Sequence, residues 1–176
     1  MGKKEAPRRV AVIGGGAGGL CAAIAAGQAG ADVAIFEQAN RVGKKLLKTG
    51  NGRCNLSNTH VSPEHYNRPD FVAPILADMP CDALLDLFGS LGLWTVTDEE
   101  GRVYPRSDTA ASVLDVLRLG CEALGVEERC STEIAAIDRL LHRRGRRFHH
   151  RICTQSSLPV KNRRGQIGRA SCRERV

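Results

Sequence analysis

The chain has 176 residues, of which 42% are apolar and 26% charged, the size and composition of one ordinary globular domain; a disordered or fibrous chain and a pair of large domains are excluded. The net charge of +7 is unevenly placed, because residues 1–138 carry 14 Lys and Arg against 18 Asp and Glu, whereas residues 139–176 carry 12 against one. Seven cysteines at irregular spacing argue for reduced thiols rather than a disulfide framework.

In chain order, Arg8 to Ile13 (RRVAVI) is a short β-branched apolar run ending at glycine, which predicts a buried parallel strand. The glycine-rich stretch Gly14 to Gly19 follows. An alanine-rich segment then predicts a helix starting near Ala17 and running to Ala29, with Leu20, Cys21, Ile24 and Ala25 on one face and Gly30 at the C′ position. Ala31 to Phe36 (ADVAIF) is a second apolar strand, ending at Glu37. The stretch from Val10 to Ala26 is interrupted by five glycines, so nothing approaches the roughly 20 apolar residues of a membrane span. Val10 to Ile13 is too short for a secretory signal, and a cytoplasmic location is expected.

From Gln38 to His60 the chain is rich in glycine, lysine and asparagine without periodicity, which predicts a long functional loop. Helices are predicted at Phe71 to Met79 and Asp82 to Leu91. Leu93 to Tyr104 reads as a hairpin closed by Gly101, with Trp94 and Tyr104 in its core. Asp108 is placed to cap a helix from Thr109 to Leu124, whose apolar stripe is Val113, Leu114, Leu117, Cys121 and Leu124. Glu133 to Asp138 is a last strand. His60 and His65 are read as surface residues. His149, His150 and Cys153 lack the second paired cluster that a zinc site needs, so no metal is expected.

Gly14, Gly16 and Gly19 form a G-x-G-x-x-G, directly after a predicted strand and opening a predicted helix; Glu37 lies 18 residues past the third glycine, at the tip of the next strand. That context is what distinguishes a dinucleotide site from an ordinary glycine turn. Gly14 permits the tight turn, Gly16 lets backbone approach a pyrophosphate, and Gly19 allows close helix–strand packing. The helix N-terminus favours the phosphates, and Glu37 accepts from ribose hydroxyls. A βαβ unit whose glycines serve packing alone is the competing reading; it leaves the acid at the second strand's tip without a reason. Whether NAD or FAD binds is not decided by this unit.

The segment Arg41 to Asn58 contains G-K-K-L-L-K-T-G-N-G-R-C-N-L-S-N from Gly43 onward, and Gly101 to Asp108 reads G-R-V-Y-P-R-S-D. Together with the glycine fingerprint these stretches resemble the HI0933-like family of bacterial FAD-binding enzymes, also described as BaiN/RdsA-type or aminoacetone oxidase-type. The resemblance covers about residues 8–138. It implies an α/β Rossmann-like FAD-binding domain of a two-dinucleotide-fold flavoprotein, a parallel sheet with flanking helices and a β-hairpin. Residues 1–139 would be the N-terminal part of that domain, which is discontinuous in sequence, with a substrate domain inserted further on.

By the same resemblance, FAD is the cofactor, with NAD(P)H or oxygen as the second electron partner. Gly14, Gly15, Gly16, Ala17, Gly18 and Gly19 would lie along the pyrophosphate, and Glu37 with Gln38 at the ribose. Gly43, Lys44 and Lys45 would sit beside the phosphates. The turn containing Gly52, Arg53, Cys54 and Asn55 would approach the flavin, and Ile134 would add backbone contacts to the adenine. The residues themselves agree: glycines at 50 and 52 free the backbone, and Arg53 can donate a charge-assisted fork to phosphate or a reduced flavin. Cys54 is read as a small packed residue rather than a reactive thiol.

Residues 140–176 form a basic tail. Ile167 to Val176 resembles a translated sequencing adapter, and the residues from about Leu140 to Gly165 read as out of frame or poorly read; on this reading the tail has no partner surface and the chain is a fragment without turnover of its own. Two functions are weighed: an FAD-dependent oxidoreductase acting on a small-molecule substrate, and a flavin- or nucleotide-binding module that acts by binding. Neither involves a membrane or a specific nucleic acid, and the only argument for nucleic acid, the basic tail, rests on residues 139–176. No residue is assigned a catalytic role, and the oligomeric state is not legible.

Overall fold

The computed structural model describes residues 7–141 and 148–154, with side chains described for residues 7–137. The Ile167 to Val176 segment and the side chains of His149, His150 and Cys153 lie outside the described residues. The chain divides into two compact units, residues 1–42 with 121–176 and residues 43–120.

The first unit opens with β1 (Arg9–Ile13), α1 (Ala17–Gln28) and β2 (Asp32–Phe36), and the chain returns to it as β6 (Glu127–Arg129). These strands form a parallel sheet in the order β1-β2-β6, with Arg9 opposite Asp32, Ile13 opposite Phe36, and Phe36 opposite Arg129. A crossover helix between parallel neighbours is what the two apolar runs and the intervening alanine-rich stretch require. Helix α1 ends as predicted: Gly30 is left-handed at φ +81°, its N–H donates to the Gly27 carbonyl at 2.9 Å, and the Ala31 N–H donates to Ala26 at 3.1 Å. That pair of bonds is a Schellman closure.

The buried face of α1 is Leu20, Ala23 and Ile24, an i, i+3, i+4 set. Ala25, expected on that face, is exposed and Cys21 is only half-buried; burial of the latter pushes its thiol up from the ordinary range. Strand β1 also departs from expectation. It is half-buried, with Ile13 50% exposed, because among the described residues it pairs with β2 alone and so stands at the sheet's edge. Strands β7 (Ile134–Leu141) and β8 (Phe148–Thr154) close this unit as an antiparallel hairpin, in which Leu141 pairs with Phe148. The strand predicted at Glu133 to Asp138 therefore begins one residue later and runs on to Leu141.

The second unit contains β3 (Ser57–Asn58), α2 (Pro69–Asp78), α3 (Cys81–Ser90), β4 (Thr95–Thr97) and β5 (Arg102–Pro105), and α4 (Ala110–Ala123) begins in it. The strands form an antiparallel sheet in the order β3-β5-β4. The predicted hairpin is β4 and β5, with Val96 opposite Tyr104. Its turn is built by Asp98, whose carboxylate accepts from the N–H groups of Glu100 and Arg102 at 3.0 and 2.9 Å and from Arg102 Nε at 2.8 Å. The Arg102 guanidinium holds the Asp98 carboxyl below its usual range.

Phe88, Leu93, Val103, Tyr104, Val113, Leu114 and Leu117 are buried in this unit. Trp94, expected in the hairpin core, is 72% exposed. Successive side chains of an extended chain point to opposite faces, and here Leu93 takes the inner one. The predicted stripe of α4 holds from Val113 through Cys121, while Leu124 is 37% exposed. Asp108 does not cap α4 through its side chain; the Ala111 N–H bonds instead to Thr109 Oγ1 at 3.3 Å. No helix among the described residues is long and apolar enough to cross a membrane.

Gly19 is where α1 meets the turn after β1, since a Cβ there would overlap the Gly14 carbonyl oxygen. Gly19→Ala must push helix and turn apart, an overpacking that costs about 1–3 kcal/mol. At about 2–4 °C per kcal/mol for a chain of this size, thermal unfolding followed by circular dichroism should show a clear fall in midpoint. An unchanged midpoint would mean that α1 is not pressed against the turn.

Candidate dinucleotide-binding site

In the first unit the turn Gly14 to Gly19 joins β1 to α1 and is fixed to the second strand. Gly14 has φ +96° and donates its N–H to the Phe36 carbonyl at 2.8 Å. The Gly15 N–H donates to Glu37 Oε2 at 2.7 Å, and the Ala39 N–H donates to Glu37 Oε1 at 2.7 Å. The Glu37 backbone is held as well, donating to the Arg129 carbonyl at 3.0 Å and accepting from Thr132 at 2.9 Å. The acid at the tip of β2 is thus a fixed acceptor tied into the glycine turn. Each carboxylate oxygen retains a second lone pair for a further donor.

The glycines of the turn fall into two groups. Side chains at Gly15 and Gly19 would strike protein, the first against Val42 and the second against Gly14, and Gly14 itself needs its positive φ. Gly16 and Gly18 are different: neither has positive φ, and a Cβ at either meets nothing within 4 Å. Packing explains Gly15 and Gly19 and backbone conformation explains Gly14, while Gly16 and Gly18 are left unexplained. The first helical bond of α1 is Leu20 N–H to the Gly16 carbonyl at 2.9 Å. Ahead of it stand the N–H groups of Ala17, Gly18 and Gly19, which no intrahelical carbonyl can reach.

Gln38 is exposed beside Glu37. Ile134 begins β7, just beyond Ser131 and Thr132, whose N–H groups bond to the carbonyls of Ala39 and Glu37. These anchors from the 130s were not singled out in the sequence, where nothing in their composition marks them.

In the second unit the Gly43 to Asn55 stretch is irregular, as expected of the loop, apart from a tight helical segment at Leu46–Gly52 that is interrupted at Thr49, Gly50 and Asn51. Gly43 has φ +74° and a Cβ on it would overlap Leu114, so its lack of a side chain is accounted for by packing on α4. Lys44, Lys45 and Lys48 are exposed. Gly50, Asn51, Gly52 and Cys54 all have positive φ. A Cβ at Gly50 would lie 2.8 Å from the Asn55 backbone nitrogen, which shows how tightly the loop folds on itself. Asn51 and Cys54 reach a left-handed conformation without being glycine, which costs energy and concentrates at functional sites. Cys54 is buried and Asn55 exposed.

Arg53 emerges from this loop with a partner that the sequence did not suggest. Its Nε pairs with Asp108 Oδ1, and its guanidinium carbon lies 4.1 Å from the centre of the Tyr104 ring. The hydrogen bond to Asp108 raises the Arg53 pKa above its ordinary value. Within each unit, then, residues named from the sequence lie together: Gly14 to Gly19 with Glu37 in the first, and Gly52 to Asn55 in the second, where Arg53 meets Tyr104 and Asp108, which the sequence reading assigned to the hairpin core and to a helix cap.

Residues 8–159 match the model of the HI0933-like protein Rossmann domain. The chain belongs to that family. The match continues past residue 138, where the resemblance seen in the sequence ends. Among curated relatives, a 3-dehydro-bile acid delta(4,6)-reductase of Clostridium scindens is 45% identical over 115 residues, covering 63% of this chain and 28% of the relative. A ribosomal RNA dihydrouridine synthase of Haemophilus influenzae is 28% identical over 131 residues, covering 73% of this chain and 32% of the relative. The chain therefore spans about a third of the length of these relatives. Among solved structures, the open conformation of a flavocytochrome c3 fumarate reductase superposes with a TM-score of 0.57 at 20% identity, covering 76% of this chain and 28% of that one. This likeness establishes the Rossmann-type α/β fold.

Gly18 stands in the first turn of a helix with open space around it, where glycine is about 0.5–1 kcal/mol worse than alanine. Gly18→Ala is expected to raise the thermal midpoint by a few degrees. A fall in midpoint would mean that the protein itself, rather than anything it binds, requires glycine at this position.

Proposed function

We propose that the chain is the nucleotide-binding part of an FAD-dependent oxidoreductase whose whole form passes hydride or electrons between an organic substrate, FAD and NAD(P)H or oxygen. The observation that carries this reading is the empty space over Gly16 and Gly18 at the start of α1, beside a fixed carboxylate. Open backbone at a helix N-terminus, without side chains to hold a ligand off, suits a pyrophosphate.

In this reading Gly14 to Gly19 line the pyrophosphate, the N–H groups of Ala17, Gly18 and Gly19 bond to phosphate oxygens, and Glu37 accepts from the ribose hydroxyls. Gln38 and the backbone of Ile134 belong to the adenosine end. Gly43, Lys44 and Lys45 serve the phosphates, the lysines by charge and Gly43 by its turn. Gly52, Arg53, Cys54 and Asn55 serve the flavin end, where Arg53 contributes a fixed positive charge. FAD, when bound, supplies the two-electron chemistry; the protein binds, orients and tunes it. FAD rather than NAD is favoured by the Gly43 to Asn58 motif and by membership of the family.

The bile acid reductase, the more similar of the two relatives, is named for reducing a small organic molecule, and that supports a small-molecule substrate. A second reading, RNA as substrate, draws on the name of the dihydrouridine synthase.

Glu37→Ala tests the ribose assignment. Each hydrogen bond lost is worth about 0.5–1.5 kcal/mol, so losing the bonds to both ribose hydroxyls should weaken binding of FAD, titrated into the purified chain and followed by quenching of flavin fluorescence, by about 5- to 150-fold. An unchanged dissociation constant would remove Glu37 from the site.

A further inference from the structure

We infer that Asp108 and Tyr104 are positioning residues for Arg53: together they hold its guanidinium so that the terminal nitrogens remain a bidentate donor for acceptor oxygens of the cofactor. This rests on the reading of Arg53 as a residue that contacts FAD.

The two stretches are 51 positions apart in sequence and are joined by the short ladder between β3 and β5. Leu56 N–H donates to the Val103 carbonyl at 2.8 Å, and Ser57 and Asn58 pair with Val103 and Arg102. The loop that ends at Asn55 is thereby laid along the strand that carries Tyr104. Tyr104 is buried, with its ring beneath the Arg53 guanidinium, and Asp108 takes Nε from the side. The ring holds the guanidinium carbon over its face, 4.1 Å from its centre, and the Nε contact restrains the side chain from a second direction. Both contacts leave the terminal nitrogens, the part of arginine suited to a forked bond with phosphate or carboxylate-like oxygens.

Stability does not account for the arrangement. The Arg53 and Asp108 side chains are 47% and 60% exposed, and ion pairs in that setting contribute little to folding. Yet Asp108 presents its carboxylate from a left-handed backbone at φ +56°, and Cys54, directly after Arg53, is left-handed at φ +60°. Nor is Asp108 needed as a helix cap, a role that Thr109 fills. Two strained residues surrounding one exposed arginine are explained if its orientation matters to something it binds.

The test uses the 176-residue chain labelled with 15N and two readouts. Exchange of the Arg53 Nε–H with water, assigned by its disappearance in Arg53→Gln, reports the hold without any ligand. FAD titration reports its consequence. Asp108→Gly keeps the left-handed backbone and removes the carboxylate, and Asp108→Asn is the milder companion should the glycine variant unfold. The inference predicts slow Nε–H exchange in the parent and fast exchange in the Asp108 variants. It also predicts FAD affinity lowered about tenfold in Asp108→Gly, as in Arg53→Gln, with the double variant no weaker than Arg53→Gln alone. Tyr104→Leu should weaken binding and Tyr104→Phe restore it, since only the ring is required. Fast exchange in the parent, or additive losses in the double variant, overturns the inference. FAD affinity unmoved by Arg53→Gln while Asp108→Gly still speeds exchange overturns it by another route, because the hold then exists but the cofactor contact it was meant to serve does not.

Discussion

The contact between the Gly14 carbonyl and the backbone of Gly19 sets the geometry of the first unit. Because no side chain can stand between them, α1 packs directly against the turn that follows β1, and its first N–H groups lie at the end of that strand. The same turn is fastened to β2 by Gly14 N–H on Phe36 and by Gly15 N–H on Glu37. Strand, turn, helix and acid are therefore one mechanical piece. Losing the close approach would displace the helix terminus and the carboxylate together, so the packing constraint and the proposed binding geometry coincide at a single pair of glycines.

Within that piece the glycines separate into those that the protein needs and those that it does not. Gly14, Gly15 and Gly19 have protein reasons: a positive φ, the Val42 side chain, and the Gly14 carbonyl. Gly16 and Gly18 have none, and at Gly18 the helix would be more stable with alanine. A glycine that lowers local stability, with open space around it at a helix N-terminus, is a local inconsistency that the proposed function accounts for. The second unit shows the same sign in another form, since Asn51, Cys54 and Asp108 adopt left-handed backbones around an exposed arginine.

The strand–turn–helix–strand unit was legible because each piece carries its own local signal: a β-branched run, a glycine turn, an alanine-rich helix closed by Gly30, and an acid at the strand tip. The hairpin and α4 were legible for similar reasons. What escaped depended on contacts distant in the chain. The edge position of β1 follows from the sheet order, which periodicity does not encode. Trp94 was placed inward because aromatic residues usually are, but Leu93 beside it had already taken the inner face. Asp108 was read as a cap because it precedes a helix; its actual partner, Arg53, is brought to it by the β3–β5 ladder, and no local pattern reveals that pairing. At the site, Gly14 to Gly19 and Glu37 could be named from spacing alone, whereas the anchoring of Glu37 by Arg129 and Thr132 arises from a return of the chain about 90 residues later.

The proposed function requires the open N-terminus of α1 to be the face that meets a nucleotide. Backbone amide resonances of the 15N-labelled chain, followed while FAD is added and again while ADP is added, test this directly. The amides of Gly15, Gly16, Ala17, Gly18 and Gly19 are expected to shift most with both ligands. Amides in this turn that stay still while either ligand binds elsewhere, or bound ligand that moves only residues of the second unit, would contradict it.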